Sequence, residues 1–334
     1  MEGLQSLVAM MRGMTRRIGV AMIALGLGLL IMLGGCELLR QNRAPAAAFT
    51  ILPDGGYSPL EVSLDASASS DPDGDTLTYA WSFGDGTNGD GAQTTHTYGD
   101  TGNYSVVLRV IDSEGLDDAA IQTFDVLAVP EGSVILRLGW TWDGLPQQME
   151  FAVSWELYQA YRARLRTPLV DNYEYGAFVE DPLDDPTLED LADMLWEQSG
   201  GDAVSYAEYV LRFVQGSITY TADPPSMEWP RYPLETLVDG EGDCEDTAIL
   251  FVSLLKAQGI ACRLAFVDTD EDAFPDHVLV LVEVPGVSAL PPSARLFELD
   301  GALYAVAETA SGMTGLGIDP WGLEAVDLIE LWTF

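Results

Sequence analysis

The chain has 334 residues, 48% of them hydrophobic and 10% aromatic, which provides for about two domains of roughly 100–200 residues and is too apolar for disorder by composition. Its formal net charge of −38, from 53 acidic against 15 basic residues, repels nucleic acid and argues against a DNA- or RNA-binding role. The three cysteines (Cys36, Cys244, Cys262) and two histidines (His96, His277) are too few for a disulfide framework or a zinc site. A Cys244–Cys262 bridge stays open for an exported chain, and it would inactivate Cys244. The acids are spread along the sequence, with Lys256 the sole lysine. That pattern reads first as a surface kept hydrated in a salty medium, and second as one that attracts cations.

At the amino terminus Arg12, Arg16 and Arg17 precede an apolar run from Ile18 to Leu33. The run is short against the ~20 residues of a spanning helix and fits an export signal. It ends in Leu33-Gly34-Gly35-Cys36, which resembles the lipobox of prokaryotic lipoproteins. The resemblance implies cleavage before Cys36, diacylglycerol on its sulfur, and an exported chain anchored at the cell surface or in the periplasm. An uncleaved signal anchor with a chance cysteine is the bland reading, and Met10, Met11 and Met14 leave the start codon open. A short tether, residues 37–44, follows the signal, residues 1–36.

Residues 45–129 alternate apolar and polar positions between turn clusters. Strands are expected at 48–52, 60–64, 76–83, 96–98, 104–111 and 119–127, the regular spacing of an all-β sandwich. The motifs Asp71-Pro-Asp-Gly-Asp75, Tyr79-Ala-Trp-Ser-Phe-Gly-Asp-Gly86, His96-Thr-Tyr98 and Tyr104-Ser-Val-Val-Leu-Arg-Val110 resemble the PKD domain. That family implies an immunoglobulin-like sandwich serving as an extracellular spacer or as a module binding protein or carbohydrate, with His96 a structural residue. Asp71, Asp73 and Asp75 read as an Asx-rich turn in preference to a calcium site, though alternate oxygen ligands suit that cation.

Residues 133–142 and 148–157 read as two strands of a β-rich extension spanning 130–178, and 158–166 as a short helix or continuing strand. Helices are expected at 188–198 and 205–215 on their apolar stripes. The chain then gathers around Gly240-Glu-Gly-Asp-Cys-Glu-Asp246. Asp243 is the expected N-cap, Asp246 stands three residues on, and Gly259 ends an almost wholly apolar helix. Cys244 falls in its first turn, where free N–H groups and the helix dipole favour a thiolate. Strands follow at 261–267, 277–284, 296–299 and 303–308. A thiol nucleophile needs a base, and the base a carboxylate to orient it. With His96 placed in the first domain, His277 is the imidazole available.

Arg231-Tyr-Pro-Leu-Glu-Thr-Leu-Val-Asp-Gly-Glu-Gly-Asp-Cys-Glu-Asp246, Leu254-Leu-Lys-Ala-Gln-Gly-Ile260, Asp276-His-Val278 and Tyr304-Ala-Val-Ala-Glu-Thr309 resemble the transglutaminase-like superfamily, nearest its prokaryotic cysteine-protease branch. The resemblance, assigned to residues 179–334, implies an α+β papain-like fold, a Cys-bearing helix packed on an antiparallel sheet. It implies a triad of Cys244 as nucleophile, His277 as general base and acid, and Glu308 as orienting acid. The superfamily more often has Asp at the third place, so Asp300 competes with Glu308. Tyr220 and Trp229 are candidate oxyanion donors beside the Cys244 N–H. The expected function is a thiol acyl-transfer enzyme, a cysteine peptidase or amidase that requires no cofactor and acts through a thioester on protein or peptide substrates. Hydrolysis is favoured over cross-linking. The alternative is a non-enzymatic adhesion or scaffold protein that binds a cell-surface protein or glycan.

Overall fold

The computed structural model describes residues 41–164, 175–181, 185–223, 229–269, 276–286, 290–310, 312, 314–324 and 328–334. Among them no helix is long and apolar enough to cross a membrane. The signal, most of the tether and Cys36 lie outside the described residues.

The first unit is built by strands whose alternate residues point inward. β1 (Thr50–Leu52), β3 (Leu60–Asp65) and β6 (Gln93–Tyr98) form one antiparallel sheet. β2 (Gly56–Tyr57), β8 (Asp117–Leu127), β7 (Gly102–Ile111), β4 (Thr78–Ser82) and β5 (Asn88–Asp90) form the other, in that order. Leu60, Val62 and Leu64 of β3 face Val106, Leu108 and Val110 of β7 in one apolar core. Phe49 meets Trp81 edge-on at 5.0 Å, and the buried indole and phenol keep polar partners, Trp81 Nε1 on the Gly91 carbonyl and Tyr98 Oη on that of Phe83. His96 stacks on Phe83 at 4.1 Å and reaches Asp85 Oδ2 at 2.7 Å, which gives this imidazole a local structural use. Gly84 has φ +84°, and a Cβ there would stand 2.6 Å from the Ser105 carbonyl, so the turn after Phe83 requires glycine.

The second unit begins with an antiparallel hairpin, β9 (Ser133–Trp142) and β10 (Leu145–Ser154). The strand expected over 148–157 stops at Ser154, whose hydroxyl caps α1 (Trp155–Arg162), because a capped turn satisfies N–H groups that an unpaired strand end would leave open. After α2 (Gly176–Val179), α3 (Asp185–Ser199) and α4 (Ala203–Ser217), a parallel two-residue ladder joins β11 (Thr219–Tyr220) to β12 (Glu241–Gly242). Between them lies α5 (Pro233–Asp239), which starts on Pro233 with Glu235 closing a capping box. α6 (Cys244–Ala257) leads into a five-stranded antiparallel sheet ordered β15 (Leu296–Leu299), β16 (Ala302–Ala307), β14 (His277–Glu283), β13 (Cys262–Val267) and β17 (Leu328–Thr333).

α6 packs against α3, α4 and α5 on one side and β13 and β14 on the other. Ala248 through Val252, Leu254 and Leu255 are buried, all within one core that also takes Leu138, Trp140, Phe151 and Val153 from the hairpin. Trp140 meets Tyr209 and Phe213 of α4 edge-on at 5.6 and 5.2 Å. Alternate residues of the sheet, among them Ala265, Val267, Leu279, Leu281 and Val306, line a second core on its other face with Leu323. Both faces are therefore buried, which accounts for the apolar runs in β13 and β14.

Candidate active site

Cys244 is placed by a short run of local constraints. α5 ends at Gly240 in the left-handed conformation, φ 68°, and the ladder to β11 then sets Gly242 opposite Tyr220. A Cβ on Gly242 would lie 2.6 Å from that of Asp246, so glycine lets Asp246 fold back on the chain before it. Asp246 Oδ2 accepts from the Asp243 N–H at 3.4 Å, while Asp243 caps the helix start. The Arg231 N–H donates to Asp246 Oδ1 at 2.6 Å, and its guanidinium lies 3.3 Å from Oδ2. Burial, then the neighbouring Asp243 carboxylate, still push the Asp246 carboxyl up to about 7.

The thiol at the helix mouth is partly buried, and neither it nor the buried Cys262 is in a disulfide. Cys244 Sγ donates to Glu245 Oε2 at 3.3 Å. Burial pushes this thiol far up, Glu245 adds to the rise, the Val278 backbone hydrogen bond draws it partly back, and Asp243 raises it again. The helix N-terminus alone predicts a lowered value. Desolvation and two adjacent carboxylates act against the helix N-terminus, which favours the thiolate. Cys262, in the core of β13, is pushed up to about 12 by burial.

The Val278 hydrogen bond also sets the thiol beside the first residues of β14. His277 opens that strand, with Nε2 2.8 Å from Oε2 of the fully buried Glu308 and its ring tilted against Trp321 at 4.6 Å. The pairing of Val280 with Ala307 explains this meeting: three residues further, His277 would stand opposite Ala310, so Glu308 lies diagonally across on the same face. Glu308 Oε1 accepts the Ala310 N–H at 2.6 Å, which orients the carboxylate. With Nε2–H donated to Glu308, a neutral imidazole keeps Nδ1 as its basic nitrogen.

Of the other candidates, Asp300 sits in the β15–β16 turn at φ 53°, its side chain 82% exposed and 2.8 Å from Arg263 Nη2, so it does not meet His277. Tyr220 is 53% exposed, and its hydroxyl is raised by burial and then by the charges of Cys244, Asp243, Glu245 and Glu308. Trp229 gives its N–H to the Asp223 carboxylate. Asp223, Asp243 and Glu245 each bring a carboxylate oxygen within 4.8 Å of the others, a hard donor set on either side of Cys244 that spacing alone did not single out. In the first unit Asp71 and Asp75 gather instead with Asp112, while Asp73 turns to Arg43 at 2.9 Å. Asp71 Oδ1 accepts the N–H groups of Asp73 and Asp75, which closes the expected Asx turn and leaves the Asp73 side chain covered by Arg43. Asp112, which follows β7, is remote in sequence and gave no signal there.

Residues 42–128 match the PKD domain model and residues 189–288 the transglutaminase-like superfamily model. A microbial collagenase of Vibrio alginolyticus is 37% identical over 93 residues, which is 28% of this chain and 11% of the collagenase. The PKD1 domain of Vibrio anguillarum Epp is 34% identical, covering 26% of this chain and 99% of that one at a TM-score of 0.24. Red sea bream transglutaminase is 13% identical, covering 78% of this chain and 50% of its own at a TM-score of 0.27. The chain thus spans a small part of the curated relatives it matches. It carries a PKD domain of immunoglobulin-like β-sandwich fold followed by a domain of the transglutaminase-like superfamily.

Proposed function

We propose that this chain is an exported thiol acyl-transfer enzyme with Cys244 as nucleophile, His277 as general base and acid, and Glu308 as the carboxylate that orients the imidazole. The observation that carries the proposal is the 2.8 Å contact of His277 Nε2 with buried Glu308, beside a thiol hydrogen-bonded to the next residue, Val278. Because the resting thiol is held protonated, attack is general-base catalysed. His277 Nδ1 takes the Sγ proton as sulfur bonds to the amide carbon, and the carbonyl π pair moves onto oxygen. The Cys244 N–H and the Tyr220 hydroxyl receive that oxyanion. Collapse breaks the C–N bond, and the imidazolium returns its proton to the leaving amine. Water deprotonated by His277 then opens the thioester, releasing the acid and regenerating the thiol.

We assign hydrolysis over cross-linking, a protein or peptide substrate, and a surface anchor through lipid on Cys36. The PKD domain serves as spacer or as a binding module for a surface protein or glycan. Incubating the full chain with peptide, glutamine-donor and wall substrates, against Cys244→Ala, tests the reading. Cys244-dependent amide release is expected. A Cys244 alkylation rate that His277→Ala leaves unchanged, with no Cys244-dependent amide release, would favour a binding protein instead.

A further inference from the structure

The end of β16 is tied down from outside its own sheet. Glu308 is fully buried and Thr309 nearly so, and Gln215 Nε2 of α4 donates to the Glu308 carbonyl at 2.7 Å. Thr309 Oγ1 lies 2.9 Å from Thr247 Oγ1, a buried hydroxyl one turn along α6 from Cys244. Thr247 Oγ1 also lies 2.8 Å from the Asp243 carbonyl and 3.2 Å from that of Cys244. A carbonyl only accepts, and Thr247 has a single hydroxyl proton to give. The shared contact therefore runs from the Thr309 O–H to Thr247 Oγ1, and the Thr247 O–H runs on into the first turn of α6.

We propose that Thr247 and Thr309 are a positioning pair, a hydroxyl chain that sets the Cys244 turn of α6 against the His277–Glu308 pair. The proposal rests on the catalytic roles assigned above. α6 and the sheet meet elsewhere through Ala, Ile, Leu, Phe and Val side chains. Such packing fixes the spacing of two layers but is non-directional, so it resists sliding weakly. The hydroxyl chain is directional, buried, and joins the residue after the acid to the backbone of the nucleophile itself. A displacement of about 1 Å between reacting groups can cost about 100-fold in rate, so a contact with this placement bears on reactivity.

Thr309→Val is close to isosteric and leaves the Thr247 proton on its carbonyls, so the fold should survive it. The probe is iodoacetamide on the full chain, with the Cys244 alkylation rate followed across pH. In Thr309→Val the rate around neutral pH is expected to fall by about 10-fold, because a displaced imidazole takes the Sγ proton less readily. Thr309→Ser, which keeps the hydroxyl, should restore it. Thr247→Val strands the buried Thr309 proton and should lower Tm more than Thr309→Val does, and the double variant should recover Tm while alkylating no more slowly than Thr309→Val alone. An unchanged profile in Thr309→Val, or Ser behaving as Val, or additive losses in the double variant, overturns the pair. If His277→Ala slows the unsubstituted chain while Thr309→Val does not, the pair alone falls. If His277→Ala has no effect either, the catalytic reading falls and takes the pair with it.

Discussion

Cys244 stands between two opposed electrostatic demands. The helix start offers N–H groups to a thiolate, whereas burial and the Glu245 carboxylate 3.3 Å away hold the proton on sulfur. A protonated thiol resists oxidation better than a standing thiolate does, and in the proposed mechanism it becomes a nucleophile when His277 takes its proton. Glu245→Gln removes both the repulsion and the charged acceptor while keeping the side chain's size. The thiol pKa should therefore fall, and alkylation by iodoacetamide at neutral pH should accelerate several-fold; a rate equal to that of the unsubstituted chain would show that burial alone sets the pKa. Glu308 shows a different residue-scale logic. Its extra methylene relative to Asp is accommodated because the Ala310 N–H fixes one oxygen and leaves the other to the imidazole.

At the scale of elements, α6 is the hub on which the helices and the sheet both pack, and its first turn carries a second buried carboxyl. Asp246 is raised from 3.8 to about 7 by burial and by Asp243. The folded chain thus holds this proton more tightly than the unfolded chain. Its contribution to stability is complete below pH 3.8 and is lost as pH rises through about 7. Asp246→Asn, which mimics the protonated form, should flatten the fall in Tm across that window relative to the unsubstituted chain. Thermal melts followed by circular dichroism would check this, and an unaltered slope would count against it. α6 was legible in sequence because Asp243, Asp246 and Gly259 punctuate an apolar run. α5 carried a legible signal too, Pro233 at its first position with Glu235 two residues later, but its seven residues show too little periodicity to stand out. β17 could not be read at all. A six-residue strand next to β13 is defined by pairing with residues far away in the chain.

Across the whole molecule, the two units meet at Glu150. This buried carboxylate of β10 accepts the Tyr57 N–H of the PKD domain at 2.7 Å and the Arg137 Nε–H of its own hairpin at 2.9 Å. Gly56 makes room for it, since a Cβ there would lie 2.7 Å from Glu150 Oε2. Glu150→Ala should release the PKD domain from the hairpin. Small-angle scattering should then give a larger radius of gyration, with the alkylation rate of Cys244 unchanged. A scattering curve identical to that of the unsubstituted chain would place the hold between the units elsewhere. The net charge of −38 acts at the same scale: like charges repel across the entire surface, and added salt relieves that repulsion by screening.

The sequence by itself determined the order of the two folds, the longer strands of the sandwich, though not the short β2 and β5, and the helix that starts at Cys244. Each of these rests on local rules, side-chain alternation, turn residues and caps, that act within a few residues of chain. Tertiary structure decided which carboxylate meets His277. Glu308 and Asp300 are both acids at the ends of strands in one hairpin, and the register of β14 on β16 brings the first to the imidazole while the turn sends the second to Arg263. It also set the burial and the carboxylates that raise the Cys244 thiol, and it brought Asp112 to Asp71 and Asp75. Burial and the approach of distant carboxylates are properties of the packed chain, and residue spacing does not carry them.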